Sequence, residues 1–372
     1  MLVDERASRV PNMKRSMTIL IVVVIAIVVA GAALVFILQP AGGPNCGSTW
    51  KCGAGYPLEV AGTYGVAAQQ CAVNSTYFYC VGGLDSNGGP HSEIYYGTLA
   101  GTGNITGWTQ NPTAYPVDVS SESCVESGGY MYCVGGAYDP GGDDIASSYY
   151  AQFNSGGGLG TWFYTTPYPI PIDSQNCVAS ASYIYCVGGN NETDGTDGTV
   201  APSSSAWYAK LSPSGIGNWT KTTPYPANSY LPSCFLADSG IFCLGGVDSS
   251  DNPLGNAYYA SLSNAGIGQW VPTTAYPLPA TGQACAFSNG FVYCVGGATS
   301  GGQSAAYTSA VYYAAVSTSG IGVWREGPDY PLSVGTRCTL ASGQLYCVGG
   351  YDGSAEGEDN NVNYASLASI SG

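Results

Sequence analysis

Residues Cys124–Gly136 read CVESGGYMYCVGG, with two cysteines nine residues apart and a Gly-Gly pair midway between them. Folding this segment about Gly128-Gly129 as a two-residue turn places Cys124 directly opposite Cys133. Gly-Gly tolerates the positive φ angles that a type I′ turn requires. Opposed residues of a non-hydrogen-bonded pair approach to about 4.5 Å between Cα atoms, a separation that a disulfide accepts. The segment therefore predicts a β-hairpin that is closed by its own disulfide.

The same unit occurs six times along the chain. The cysteine pairs are Cys71/Cys80, Cys124/Cys133, Cys177/Cys186, Cys234/Cys243, Cys285/Cys294 and Cys338/Cys347. Their second cysteines are 53, 53, 57, 51 and 53 residues apart. This period matches a four-stranded propeller blade and exceeds that of common helical repeats. We therefore expect an all-β fold, a six-bladed β-propeller with one disulfide per blade.

Each unit contains signals for two further strands. A Tyr-rich stretch predicts the third strand and begins at Ile94, Ser148, Trp207, Tyr258, Tyr312 and Asn363. A tryptophan predicts the start of the fourth strand, which ends near Tyr-Pro; these are Trp108, Trp162, Trp219, Trp270 and Trp324. The sixth unit lacks this tryptophan, but Trp50 precedes Tyr56-Pro57 at the other end of the chain. We therefore expect the N-terminal segment to supply the outer strand of the last blade and close the ring.

An apolar strand that ends in Gly-Gly, followed by a tyrosine and then a tryptophan, resembles the kelch repeat. The matching pairs are Gly82-Gly83, Gly135-Gly136, Gly188-Gly189, Gly245-Gly246, Gly296-Gly297 and Gly349-Gly350. The spacing from Tyr150 to Trp162 is longer than in the usual kelch repeat, and the cysteines are additional. In this form the chain resembles kelch-like surface proteins of archaea and bacteria. The resemblance implies a propeller of the galactose-oxidase type and leaves the activity open, because propellers host unrelated functions.

An apolar segment near the N-terminus predicts membrane attachment. Residues Met17–Leu38 form 22 positions without a charge, enough for a helix to cross a hydrocarbon core of about 30 Å. This run is longer than that of a cleaved signal peptide, and the basic residues before it favour a cytoplasmic N-terminus. We expect a cytoplasmic segment 1–16, a transmembrane signal anchor 17–38, a linker 39–49 and a propeller 50–372. Cleavage, or pilin-like processing near Arg15-Ser16, is the alternative.

The cysteines and the glycosylation sequons both predict a location outside the cytoplasm. All 14 cysteines are paired if Cys46 joins Cys52, and paired cysteines indicate an oxidising compartment. Four Asn-x-Ser/Thr sequons fit an exposed outer surface; they begin at Asn74, Asn104, Asn191 and Asn218. We therefore expect a single-pass protein of the cell membrane with an extracytoplasmic C-terminal domain.

Charge and histidine content exclude several function classes. Five basic and 22 acidic residues follow the apolar segment, a net charge of −17, so a nucleic-acid partner is disfavoured. Acidic loops offer candidate Ca²⁺ ligands, with solvated turn chemistry as the alternative interpretation. These candidates are Asp143, Asp144, Asp194 and Asp197. His91, the only histidine, lies in a glycine-rich loop and is interpreted as a solvated turn residue. One histidine cannot build a zinc or copper centre, so we expect no cofactor.

Two functions remain open. The first is a non-catalytic binding or scaffolding module for proteins or glycans at the cell surface, because sites commonly lie on loops of a rigid scaffold. We expect the partner at the most varied loops, Leu84–Glu93, Ala137–Ser147, Asn190–Ser205 and Tyr351–Asn361. The alternative is a carboxylate-dependent glycan-active enzyme, which needs two carboxylates about 5–10 Å apart in a central pocket. Propeller sialidases use an arginine cluster, for which Arg325 and Arg337 are too few.

Overall fold

The computed structural model describes residues 46–60, 63–85, 87–101, 103–138, 143–191, 201–238, 240–301, 305–352 and 358–372. The predicted cytoplasmic segment, the predicted signal anchor and most of the predicted linker lie outside these residues. In the described ranges no helix is long and apolar enough to span a membrane. Antiparallel strands form most of the regular structure there, and one short helix, α1 (Leu367–Ser371), follows the last strand.

The strands are numbered along the chain. The first three are β1 (Lys51–Cys52), β2 (Glu59–Val60) and β3 (Thr63–Tyr64), of which β2 and β3 pair with each other. Sheet 1 contains β4 (Gln70–Asn74), β5 (Tyr77–Val81), β6 (Ile94–Leu99) and β7 (Ile105–Gln110). A small three-stranded sheet contains β8 (Val119–Ser120), β11 (Ala137–Tyr138) and β12 (Asp143–Asp144). Sheet 2 contains β9 (Ser123–Ser127), β10 (Tyr130–Val134), β13 (Ser148–Gln152) and β14 (Phe163–Tyr164).

The remaining sheets follow the same order of pairing. Sheet 3 contains β15 (Asn176–Ala179), β16 (Tyr183–Val187), β17 (Ala206–Ser212), β18 (Gly215–Ile216) and β19 (Thr220–Lys221). Sheet 4 contains β20 (Ser233–Ala237), β21 (Gly240–Leu244), β22 (Ala257–Ser263), β23 (Gly266–Ile267) and β24 (Val271–Pro272). Sheet 5 contains β25 (Ala284–Ser288), β26 (Phe291–Val295), β27 (Val311–Ser317), β28 (Gly320–Ile321) and β29 (Arg325–Glu326). Sheet 6 contains β30 (Gly335–Ala341), β31 (Gln344–Tyr351), β32 (Glu358–Ser366) and β1.

The first two strands of each sheet form the predicted hairpin. The paired cysteines lie directly opposite each other in all six hairpins, with Cα atoms 4.0–4.1 Å apart. Gly128 and Gly129 have φ angles of 60° and 83°, as a type I′ turn requires. The bridges are Cys71–Cys80, Cys124–Cys133, Cys177–Cys186, Cys234–Cys243, Cys285–Cys294 and Cys338–Cys347, and Cys46–Cys52 is a seventh. The hairpin register deduced from the cysteine spacing is confirmed.

The two cysteines of each hairpin bridge differ in burial, which the sequence pattern did not predict. The second cysteine is fully buried, with 0% of its surface exposed, in all six hairpins: Cys80, Cys133, Cys186, Cys243, Cys294 and Cys347. Each of these six belongs to a hydrophobic core cluster. The first cysteines lie nearer the surface, with Cys124 9% exposed and Cys71, Cys285 and Cys338 only partly buried. The bridges are therefore parts of the core, and buried sulfur of this kind is structural and not reactive.

The fourth strands differ from the sequence prediction. In sheets 2 to 6 the strand predicted as the fourth (β14, β19, β24, β29 and β1) has two residues and begins one residue after the tryptophan, not at it. The exception is β7, which contains Trp108. The tryptophan is instead used in the contact with the preceding sheet: the Trp219 indole N–H donates to the Thr166 carbonyl beyond β14 at 3.3 Å. The expectation of a strand running from the tryptophan to Tyr-Pro is therefore wrong.

The first described strand completes the last sheet. β1 pairs antiparallel with β32, with Lys51 opposite Tyr364. Trp50 is 2% exposed and packs edge-on against Tyr330, with ring centroids 4.8 Å apart. Leu367 and Ile370 of α1 belong to the same hydrophobic cluster. The prediction that the N-terminal segment supplies the outer strand of the sixth unit is confirmed.

Hydrophobic contacts join the six sheets in a closed cycle. The first strands contact one another in the order β4, β9, β15, β20, β25 and β30, and β30 contacts β4. Six buried clusters each combine residues from two successive sheets. Each Tyr-Pro tyrosine also packs edge-on against the tryptophan of the next sheet, at centroid distances of 4.8–5.2 Å. Such a pair adds about 0.5–1.5 kcal/mol to the burial of its rings.

Candidate functional site

A cavity of about 260 Å³ lies where segments of sheets 1, 4, 5 and 6 meet. Three wall residues lie just before a first strand or near its start: Gln69 and Thr281 precede β4 and β25, and Arg337 is the third residue of β30. Tyr307 follows the second strand β26, and Tyr351 ends the second strand β31. Residues far apart in the chain converge here because the first strands contact one another and the chain turns after each second strand. The cavity is therefore a product of the assembled sheets and not of one repeat.

Arg337 is the basic residue among those that line this cavity. It lies on β30, where the pairing with β31 shifts register between Gly335 and Arg337. Among the described hairpins, that of sheet 6 alone has such a shift. Irregularities of this kind re-aim side chains and are common beside functional sites. The guanidinium is partly buried, and it has no carboxylate within 4.0 Å among the described residues.

The rest of the wall combines two aromatic rings with polar side chains. Tyr307 and Tyr351 contact edge to face with centroids 5.6 Å apart. Burial raises the pKa of Tyr307 to about 12, so its hydroxyl stays protonated at neutral pH. Gln69 Oε1 and Thr281 Oγ1 are buried and have no hydrogen-bond partner among the described residues. The wall therefore offers an aromatic surface and a cation, with two unsatisfied polar oxygens buried behind it.

Gln69 belongs to a set of buried side chains two residues before the first cysteine of each unit. Gln69 Nε2 donates to the Val348 carbonyl of the preceding sheet at 2.7 Å, and Gln175 Nε2 donates equivalently to Val134 at 2.7 Å. Gln283 Nε2 donates to Leu244 at 3.4 Å. These amides therefore tie sheets 1, 3 and 5 each to the sheet before it.

Glu122 occupies the corresponding position in the second unit. It is 1% exposed, and neither carboxyl oxygen has a hydrogen-bond partner among the described residues. Burial raises its pKa to about 8, and the charge of Arg337 opposes this shift. Burial likewise lowers the pKa of Arg337, while Glu122 opposes that shift. Burial therefore favours the uncharged acid form of Glu122, which weakens its compensation of the Arg337 charge.

His91 is held between two carboxylates instead of lying free in solvent. Its Nε2 lies 3.0 Å from Asp85 Oδ2 and its Nδ1 lies 3.1 Å from Glu93 Oε2. Burial by itself lowers the pKa of His91, but the bonds and charges of Asp85 and Glu93 outweigh it and raise that pKa. The interpretation of His91 as a solvated turn residue is therefore wrong. Both ring nitrogens face carboxylates, which is a loop-fastening arrangement and not that of a base beside a nucleophile.

The remaining predicted site residues do not gather at the cavity. Asp143 and Asp144 lie next to each other on β12, where successive side chains point to opposite faces. Asp194 and Asp197 lie outside the described residues. Within the described ranges no group of three or more His, Cys, Asp or Glu side chains is arranged to hold a metal ion. The Ca²⁺ assignment stays a prediction without support from geometry.

The four sequon asparagines differ in exposure. Asn218 is exposed, whereas Asn74, Asn104 and Asn191 are partly buried. The Asn191 side-chain amide donates to the Pro171 carbonyl at 2.9 Å, which occupies the nitrogen that a glycan would modify. Glycosylation stays a prediction, and exposure places Asn218 first among the candidates.

A second cavity is surrounded by the first strands themselves. It has a volume of about 300 Å³ and is lined by residues of β4, β9, β15, β20 and β30, with Ala72, Val125 and Val178 among them. Most of the lining residues are apolar, but polar atoms form the larger part of the exposed wall, and Glu126 is its one carboxylate among the described residues. The described wall of the first cavity contains no Asp or Glu. Neither wall therefore brings together the two carboxylates that a glycosidase uses.

One solved structure, described as the structure of YjhT, shares the fold of this chain. The TM-score is 0.65, and the alignment covers 83% of this chain and 95% of the YjhT chain at 13% sequence identity. At this identity the similarity concerns the fold alone. No protein-family profile matches the sequence. No curated protein sequence matches it either.

The sequence signals located the loops of the cavity better than its side chains. Leu84 and Tyr351, which begin two of the four loops expected to bind the partner, lie on the cavity wall. The sequence did not indicate three of the site residues, Gln69, Thr281 and Arg337. They lie before the cysteines, where the repeat pattern predicts only the disulfide. A comparison of the six units at the residue just before the first cysteine distinguishes Arg337 from Gln70, Ser123, Asn176, Ser233 and Ala284.

Proposed function

We propose that this protein is a membrane-anchored, kelch-like, six-bladed propeller that binds a glycan or protein at the cell surface through the cavity lined by Arg337. Three observations support the propeller: the six-unit period, the cyclic order of contacts between first strands, and the completion of sheet 6 by β1. The fold shared with YjhT is consistent with it. Each four-stranded sheet is then one blade, and β1 closes the ring.

The apolar segment 17–38 and the seven disulfides support the proposed location. Disulfides persist in oxidising surroundings, which a cell-surface domain meets once it has left the cytoplasm. The predicted orientation, with the basic N-terminus inside, places the disulfide-bonded part of the chain there. In this proposal the anchor holds the disulfide-bonded domain at the membrane surface.

The cavity carries the proposal of a binding role. Loops that converge from several repeats on one concave site are the usual place for ligands on repeat scaffolds. At about 260 Å³ the cavity suits a small group such as one terminal sugar, and Tyr307 and Tyr351 offer it an aromatic wall. A glycan therefore fits the site better than a flat protein surface does.

The test compares two exposed tyrosines in the full-length chain in detergent. Tyr351→Ala removes part of the cavity wall, whereas Tyr164→Ala removes an exposed ring from β14, outside the cavity. On a glycan array we expect Tyr351→Ala to weaken binding about twofold to tenfold, the order of one aromatic contact of about 0.5–1.5 kcal/mol, and Tyr164→Ala to bind like wild type. Equal binding by both variants, or no bound glycan at all, would contradict the proposed site.

A carboxylate-dependent glycan-active enzyme is the second candidate. It predicts that the full-length chain turns over a glycan and that replacing one acidic residue abolishes the turnover. The absence of Asp and Glu from the described wall of the cavity favours binding over this alternative.

A further inference from the structure

We propose that the cavity selects a ligand with a carboxylate, a sugar acid of the uronate type, and that Arg337 binds this carboxylate. This inference rests on the proposed binding function and names the ligand class for the same site. Arg337 is the residue that determines specificity in this proposal, while the aromatic and polar wall residues hold the sugar ring.

The backbone places Arg337 in an unusual position. The other five first strands pair with their neighbours without a register shift, and the residue that corresponds to Arg337 is Gln70, Ser123, Asn176, Ser233 or Ala284. The Ser123 and Ser233 hydroxyls each accept a hydrogen bond from a backbone N–H on the first strand of the next sheet. These donors are Cys177 N at 2.9 Å and Cys285 N at 3.1 Å. A guanidinium has no acceptor for such a bond, so Arg337 cannot replace the two serines in this contact between sheets.

The charge of Arg337 is available to a ligand. A partly buried cation without a counter-ion is destabilising, and a bound anion relieves that cost. Glu122 interacts with Arg337, but it is buried away from water and its acid form is favoured. A planar guanidinium forms two parallel hydrogen bonds with a carboxylate, which adds direction to the charge attraction.

The rest of the wall favours a monoanionic sugar over a phosphate ester. No second Lys or Arg lines the cavity among the described residues. A dianion would leave one charge uncompensated in a partly buried site of a chain with a net charge of −15. Gln69 Oε1 and Thr281 Oγ1 lack partners, and sugar hydroxyls supply the donors that these oxygens need once the side chains adjust to the ligand.

Calorimetry with glucuronate and glucose tests the inference, because the two sugars differ in the carboxylate. We expect the full-length wild-type chain to bind glucuronate more tightly than glucose. Arg337→Gln should weaken glucuronate binding about tenfold to a hundredfold, the range of a hydrogen bond to a charged group, and affect glucose binding far less. Glucose 6-phosphate is the phosphate arm, and we expect it to bind more weakly than glucuronate.

Two further variants keep the test decisive. Arg325→Gln removes the other described arginine, which lies on β29 outside the cavity wall, and should bind like wild type. Arg337→Lys keeps the charge but not the planar fork; it should fold normally and bind glucuronate with intermediate affinity, even if Arg337→Gln fails to fold. Equal affinity for glucose and glucuronate, both weakened by Tyr351→Ala, would overturn the carboxylate inference and leave the proposed function standing. Tighter binding of glucose 6-phosphate than glucuronate would also overturn it.

Discussion

At the scale of single residues, Glu122 differs most in its chemistry from the residues at the equivalent position of the other units. Three sheets place a glutamine amide at this position, and each amide donates to a carbonyl of the preceding sheet. A carboxylate cannot donate, whereas a protonated carboxyl can do so through one oxygen. The carbonyl equivalent to those acceptors is that of Val81, and only the acid form of Glu122 has a proton to donate to a carbonyl. The charged groups that interact with it are Arg337 and, if ionised, the buried Tyr56 and Tyr115.

Replacing Glu122 by Gln is expected to change the pH dependence of stability. The folded-state pKa of about 8 lies above the ordinary value, so the folded chain binds the proton more tightly than the unfolded chain does. The contribution is therefore complete below the unfolded pKa and is lost as pH rises through about 8. Glu122→Gln should remove this loss and raise stability at pH 9 by on the order of a few kcal/mol relative to wild type.

Thermal unfolding followed by circular dichroism between pH 5 and pH 9 checks this prediction. Glu126→Gln is the matched control, because Glu126 lies on the same strand, β9, but is exposed. The control should keep the wild-type slope of melting temperature against pH. Parallel curves for wild type and Glu122→Gln would show that Glu122 is ionised throughout or contributes nothing.

At the scale of elements, the tryptophan just before or within each fourth strand packs against the previous sheet. Trp270 packs edge-on against Tyr225 and donates its indole N–H to the Thr223 carbonyl at 3.3 Å. Trp50 makes the corresponding contacts with Tyr330 and with the Pro328 carbonyl. Trp50 differs in one respect: its sheet is completed by a strand from the other end of the described chain. The loss of Trp50 should therefore weaken the junction between β1 and β32, two strands that are far apart in the chain.

The variants Trp50→Ala and Trp270→Ala together test the junction between β1 and β32. Trp50 is almost fully buried and shares a cluster with Leu367 and Ile370, so we expect its loss to destabilise the fold by about 3–5 kcal/mol, and Trp270→Ala by less. Limited proteolysis with mass spectrometry should find new cuts in β32 for Trp50→Ala and not for Trp270→Ala. The same cleavage pattern in both variants would contradict this role of Trp50 at the junction between β1 and β32.

The sequence predicted those elements whose signals lie close together in the chain. Cys124 and Cys133 are nine residues apart, so their spacing fixes the turn, the register and the disulfide. Trp50 was placed correctly because the sixth unit lacks a tryptophan and Trp50 is left over before the first unit. The cavity was not predictable in this way, since Gln69, Thr281 and Arg337 meet through the packing of different sheets.

Two local environments could not be predicted from the sequence, and the reason is the same for both. The environment of His91 was missed because a glycine-rich loop gives no sign that Asp85 and Glu93 fold back on it. The deep burial of the second cysteines was missed because spacing sets which cysteines pair, whereas packing against the neighbouring sheet sets how far each sulfur lies from water. Both features depend on groups that the repeat pattern does not place.

At the scale of the whole molecule, the disulfides distribute constraints evenly. Each of the six hairpins carries a bridge between residues nine positions apart, so each sheet is braced locally. Cys46–Cys52 adds a seventh bridge beside the strand that completes sheet 6. In the chain-entropy model, each short loop contributes roughly 2–3 kcal/mol by restricting the unfolded chain. The molecule therefore gains most from an oxidising environment, which is the environment that the proposed location provides.

Protease treatment of intact cells tests that location. If residues 1–16 are cytoplasmic and the disulfide-bonded part is outside, added protease should cut the predicted linker 39–49 and release a resistant fragment close to residues 50–372. Resistance is expected because the closed cycle of sheets and its bridges leave few loops open to local unfolding. After reduction of the disulfides, the released fragment should be degraded further, because the hairpins lose their braces. Protection of the full-length chain in intact cells, with cleavage appearing after lysis, would place the domain inside and contradict the proposed orientation.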